Sequence, residues 1–137
     1  MNTVQTQNIV HNYLQLLSQR DLENLTALFA DHIDWYVPGN KDRAPWLGKR
    51  NCKEDVKAFY ELLWENTEAI SAQIEHIIVD DNFAVITGDF STRMLQTNNV
   101  VDSLFCIQIT VSDGLIVKYR LLEDSYAVSM SLLTSEN

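Results

Sequence analysis

Acid/base chemistry in this 137-residue chain comes down to a few side chains. Asp124 stands between a strand-like run and a closing helical run. A carboxylate held in apolar surroundings has a raised pKa and can trade protons near neutrality. An aspartate just before a helix also accepts a hydrogen bond from the helix N-terminus. Catalysis and capping are both open for Asp124, and neither excludes the other. Glu123, one residue earlier, faces the opposite way on an ideal strand and is the weaker alternative. Tyr13 lies on a helical stripe, so its phenol is either a donor to a ligand carbonyl or enolate or a core residue with its hydroxyl satisfied by water. Trp35 and Trp46 would form an aromatic wall or simply fill the core.

Other chemistries find little support. His11, His32 and His76 have no i, i+4 spacing and no adjoining cluster of ligands, so no metal is expected. Cys52 and Cys106 lie far apart without a CxxC, which points to reduced thiols in a cytoplasmic protein. Gly39, Gly48, Gly88 and Gly114 are isolated, so the phosphate-cradling loops of nucleotide cofactors are missing and no cofactor is expected. No GxSxG occurs. Lys41, Arg43, Lys49 and Arg50 make a modest basic loop, either a solvated rim or a means of steering an anion.

The elements that must position these groups are legible from periodicity. Val10, Tyr13, Leu14 and Leu17 give the i, i+3, i+4, i+7 spacing of an amphipathic helix. Asp21 opens a second, short helix through Leu22, Leu25, Leu28 and Phe29. Ile33, Trp35 and Val37 alternate with Asp34 and Tyr36 as a strand, which Pro38-Gly39 stops. Residues 38–50 read as a loop. A third helix starts near Asn51, carries Val56, Phe59, Tyr60 and Leu63, and ends near Asn66. Ile70, Ala72, Ile74, His76 and Ile78 share one parity of a strand. Strands at Phe83–Leu95, Val100–Val111 and Leu115–Glu123 follow, with Ser112-Asp113-Gly114 a strong hairpin signal. A closing helix spans Ser125–Leu133. Helices followed by a meander make the class α+β: a cone-shaped, curved antiparallel sheet packed on three N-terminal helices, with a short C-terminal helix.

The strand 100–111 also speaks about partners. Its apolar parity is Val101, Phe105, Ile107, Ile109 and Val111, with Ser103; the other, from residue 104 on, carries Leu104, Cys106, Gln108 and Thr110, without the charges of a solvated face. Both faces are therefore expected to be covered, one by helices and the other by a second copy of the chain, with a further helix of the same chain as the alternative cover. Length predicts one domain over residues 1–137. With 19 acids against 10 cations the net charge is −9, and no basic cluster exists for nucleic acid or an anionic membrane. The first residues lack a basic n-region and a cleavage site, and no apolar run reaches the roughly 18 residues of a membrane span.

Val10-His-Asn-Tyr13 through Leu28-Phe29-Ala30-Asp31, then Trp35-x-x-Pro38-Gly39, Trp46-x-Gly48, and Asp113-Gly114 through Tyr119 to Glu123-Asp124 resemble the nuclear-transport-factor-2-like superfamily, in its SnoaL-like, ketosteroid-isomerase-related branch. The resemblance spans about residues 5–133. It implies a cone of sheet and helices around an apolar pocket, with dimers formed through the outer face of the sheet. Tyr13 matches the oxyanion tyrosine of ketosteroid isomerases, but Val37 stands where their basic aspartate would be and Cys106 where their second donor would be. Asp124, ten residues after Gly114, matches an aspartate of limonene-epoxide hydrolases, whose Arg-x-Asp pair is reduced here to Arg93. The best overall likeness is to SnoaL-type cyclases, which work without metal or cofactor through one acidic residue. By that likeness Asp124 shuttles a proton, Tyr13 stabilises an oxyanion, and Trp35, Val37, Trp46, Phe59, Cys106, Gln108 and Tyr119 contact a small apolar carbonyl metabolite. The alternative is a non-catalytic binder of the same fold, motivated by Val37 and Cys106.

Overall fold

The computed structural model describes residues 2–134. Asn2 starts helix α1 (Thr3–Gln19) through a capping box with Gln5, and Arg20 ends it in the left-handed conformation at φ 51°. Val10 and Tyr13 form the buried stripe of α1. Asp21 caps the short α2 (Leu22–Thr26). Strand β1 (Phe29–Val37) buries alternate residues Ile33, Trp35 and Val37. Next come β2 (Gly48–Cys52), α3 (Lys53–Asn66), β3 (Thr67–Asp80), β4 (Phe83–Met94), β5 (Val100–Ser112), β6 (Leu115–Glu123) and α4 (Ser125–Ser131). Among the described residues no helix is long and apolar enough to cross a membrane.

The strands form one curved, unclosed sheet in the order β2-β1-β6-β5-β4-β3. The class is α+β, and β3 to β6 are the antiparallel meander that the alternation predicted. The sheet is nevertheless mixed, because β1 lies parallel to β6. A strand separated from its neighbour by a helix and four strands is free to arrive in either direction, and sequence pattern does not fix which.

Two local expectations are corrected. The end of the 38–50 loop is strand: β2 pairs antiparallel with β1, Tyr36 opposite Lys49 and Val37 opposite Gly48. Its residues GKRNC have no apolar alternation, because β2 is a sheet edge held by backbone pairing. The single parity read through Ile70 to Ile78 is broken by irregularities at Ala69/Ser71 and Ile74/His76. Ile74 pairs with Gly88 and borders the interior, whereas His76 pairs with Thr87 on the outer face. An extra residue in one strand reverses every side chain beyond it.

Gly88 sits at the closest approach behind this bend. A Cβ there would overlap the Gln73 carbonyl oxygen and lie 2.8 Å from the Phe105 ring. The β5–β6 hairpin turns through Asp113 and Gly114, both with positive φ, as its sequence foretold. The core lies between the inner face of the sheet and the helices. Trp35, Tyr13, Tyr60, Tyr119, Phe29 and Phe59 are its largest fully or almost fully buried side chains.

Candidate functional site

A cavity of about 420 Å³ lies inside the cone, a size usual for small-molecule sites. Helix α1 contributes Tyr13, Leu14 and Leu17 to its wall, and α3 contributes Phe59, Tyr60, Leu63 and Trp64. The inner parities of β4 to β6 supply Phe90, Met94, Phe105, Ile107, Tyr119, Leu121 and Glu123. Ala69, Ala72 and Ile74 of β3 complete one side.

Three phenols meet in this wall. The Tyr13 hydroxyl lies 2.7 Å from that of Tyr119 and 3.0 Å from that of Tyr60. These two hydrogen bonds use two of the three hydroxyl protons, so one tyrosine of the three keeps an O–H for a ligand. Polarisation along the chain strengthens that donor. Burial pushes the Tyr13 pKa up to about 12 against the opposing effect of its two hydrogen bonds. Burial also holds Tyr60 and Tyr119 well above the ordinary phenol value. All three are therefore neutral donors at physiological pH.

Glu123 is the one acid in the cavity wall among the described residues. Tyr119, Leu121 and Glu123 alternate on one face of β6, so the strand that places the phenol also aims the carboxyl. Burial alone raises its pKa from 4.5 to about 7, and no ion pair offsets the desolvation. A carboxyl raised toward neutrality suits both taking and returning a proton.

The sequence-derived candidates divide between cavity, core and surface. Tyr13, Val37, Trp46, Phe59 and Tyr119 line the cavity together. Trp35 does not border it; the indole stacks at 4.1 Å behind Tyr119, nearly parallel, and braces that ring. Cys106 and Gln108 lie on the outer face, opposite Leu122 and Arg120. Asp124 lies outside the wall, where its carboxylate accepts from the Ala127 N–H at 2.9 Å and caps α4. Its own N–H donates to Ser103 Oγ, which fixes the turn from β6 into α4. Counting in twos from Tyr119 selects Glu123 and rejects Asp124, and that signal was available in the sequence. Tyr60 carried no distinguishing signal, since an aromatic on a helical stripe is ordinary core.

A SnoaL-like domain model matches residues 10–119, and the chain belongs to that family. An NTF2-like protein from Burkholderia xenovorans is 20% identical, covering 97% of this chain and 99% of its own, at a TM-score of 0.87. A protein from Mesorhizobium loti described as a SnoaL-like polyketide cyclase is 22% identical, covering 83% and 95%, at 0.69. TerC, crystallised with polyporic acid, is 14% identical, covering 93% and 98%, at 0.80. At these identities the likeness shows the shared fold. No curated protein sequence gives a significant match.

Proposed function

We propose that this protein is an acid/base enzyme acting on a small, mostly apolar carbonyl compound. The observation that carries the reading is a buried carboxyl without an ionic partner, in an apolar cavity, on the same strand face as a chain of hydrogen-bonded phenols. Ionised Glu123 removes a proton from the carbon next to the substrate carbonyl. The electron pair moves onto the carbonyl oxygen, where the free tyrosine O–H stabilises it. Protonated Glu123 then returns the proton at another carbon, giving an isomer. In a substrate with a second carbonyl, the enolate carbon attacks it and closes a ring, and Glu123 protonates the new alkoxide. Both courses balance without a cofactor. Ring closure agrees with the cyclase description of the Mesorhizobium loti relative. In this reading Glu123 does the work that spacing assigned to Asp124, whose carboxylate is engaged at α4.

The test is proton exchange into deuterated water, followed by mass spectrometry over a panel of cyclic and aromatic ketones. Exchange that falls at least a hundredfold in Glu123→Gln and is retained in Asp124→Asn supports the mechanism. Exchange that survives Glu123→Gln, or the lack of any exchange with ketones that bind, overturns it and leaves a binder.

Two further expectations belong to the same reading. A homodimer through the outer sheet face would cover Leu104 and Leu122, which are 73% and 41% exposed. Sedimentation should show a dimer in the natural chain and a monomer in Leu104→Glu; a monomeric natural chain would refute it. The free thiols Cys52 and Cys106 suit the reducing cytoplasm.

A further inference from the structure

The cavity carries a cation as well as an acid. Arg20, at the end of α1, contributes to its wall, and the guanidinium carbon sits 5.6 Å from the centroid of the Trp64 ring. Trp64 lines the same side. Among the described residues that form the wall, Arg20 is the only cation and Glu123 the only acid. The ion pairs of the described residues are Lys53–Asp31, Arg93–Glu68 and Arg120–Asp34, so Arg20 takes no part in one. A positive charge at a helix C-terminus is favoured by the helix dipole. The dipole does not explain why this charge is seated on an aromatic ring at the opening of a cavity.

Arg20 and Glu123 are separate features of the wall. Burial alone accounts for the shift of Glu123, without a contribution from Arg20. Tyr13 and Arg20 are seven positions apart, so their backbone positions lie about 10 Å apart along α1, at 1.5 Å per residue. A ligand that spans this length meets a guanidinium at one end and the Tyr13 side of the wall at the other. An anionic group is attracted at the first end. The charge of Arg20 therefore orients the ligand.

We propose that the cavity takes an amphipathic anion, a ring-sized apolar body bearing one carboxylate or similar acidic group, and that Arg20 binds this group at the mouth while the neutral carbonyl end lies against the phenols and Glu123. The proposal rests on the acid/base reading of the cavity and adds the class and orientation of its substrate. Arg20 is a binding residue, remote from the reacting atoms.

A matched pair of fluorescent probes tests it. 8-Anilinonaphthalene-1-sulfonate and N-phenyl-1-naphthylamine share one aromatic skeleton and differ by the sulfonate. Titrated into the full chain at pH 7 and low salt, the anion should bind about tenfold tighter, the usual size of a charge-assisted contact. Arg20→Gln should abolish that advantage, Arg20→Lys should keep most of it, and the neutral probe should bind all three proteins equally. An anion advantage that is missing, that survives Arg20→Gln, or that grows in Glu123→Gln without responding to Arg20 overturns the proposal. Ala72→Trp, on the exposed cavity side of β3, separates the two levels of failure. If this variant blocks both probes and Arg20→Gln changes nothing, only the role of Arg20 falls. If it blocks neither, the cavity is not the binding site, and the acid/base reading falls with it.

Discussion

Glu123→Gln should make the protein more stable, and increasingly so as pH rises. Burial raises the Glu123 pKa from 4.5 to about 7 in the folded chain, while the unfolded chain keeps the ordinary value. Between those two values the folded state holds a proton that the unfolded state has released, so stability falls as pH rises through the window. The full penalty of an ionised Glu123 is reached above pH 7 and amounts to at most about 3 kcal/mol, at 1.36 kcal/mol per pKa unit. Water entering the open cavity reduces it, and about 2 kcal/mol is a fair expectation for this half-buried residue. Glutamine keeps the shape and cannot ionise. Urea unfolding of both proteins at pH 4.5, 6, 7 and 8 gives the difference at each pH, in which the titration of all other groups cancels. The variant should gain on the natural protein from pH 4.5 to pH 7 and level off by pH 8. A difference that stays flat across this range would refute the burial of an ionisable Glu123, and with it the acid/base role.

Three other substitutions probe the remaining parts of the argument. Tyr13→Phe removes the hydroxyl that links Tyr60 and Tyr119, and should cost about 1–3 kcal/mol in thermal or urea unfolding and at least tenfold in proton exchange. Asp124→Ala should cost about 1 kcal/mol through the lost α4 cap, measured by thermal denaturation, and leave the Glu123 titration unchanged. Gly88→Ala drives a methyl into the Gln73 carbonyl and the Phe105 ring, and should destabilise by about 1–3 kcal/mol. Its two-dimensional NMR spectrum should show the largest shifts in β3 and at Phe105.

The parts of the fold that bury a regular stripe were readable in advance. Val10 and Tyr13 on α1, Phe59 and Tyr60 on α3, and the inner parity of β5 each declared their face by period. The parts set by backbone pairing were not. Strand β2 has no apolar period to announce it, and the direction of β1 beside β6 depends on where the chain has already travelled. Of the site, Tyr13, Phe59 and Tyr119 were legible because cavity-lining and core residues use the same stripe. Cys106, Gln108 and Asp124 were placed by likeness to other members of the family, and each is one residue out of phase with the face that meets the cavity. A strand forgives no such error, since adjacent residues point to opposite sides.

Strand β3 has a consequence beyond enclosing the pocket. It is a 14-residue strand on the free edge of the sheet, with Ile70, Ile74 and Ile78 exposed. A long, flat, apolar edge is a template on which further chains add and fibrils grow. The irregularities at Ala69/Ser71 and Ile74/His76 interrupt its ladder, and Glu68 and Glu75 place charge along it. An incoming strand therefore finds no long run of evenly spaced partners. The same two bends that border one wall of the cavity also interrupt the edge on which a further chain would add, so a substitution that straightened β3 should show first as precipitation and only then as a change in what the pocket holds.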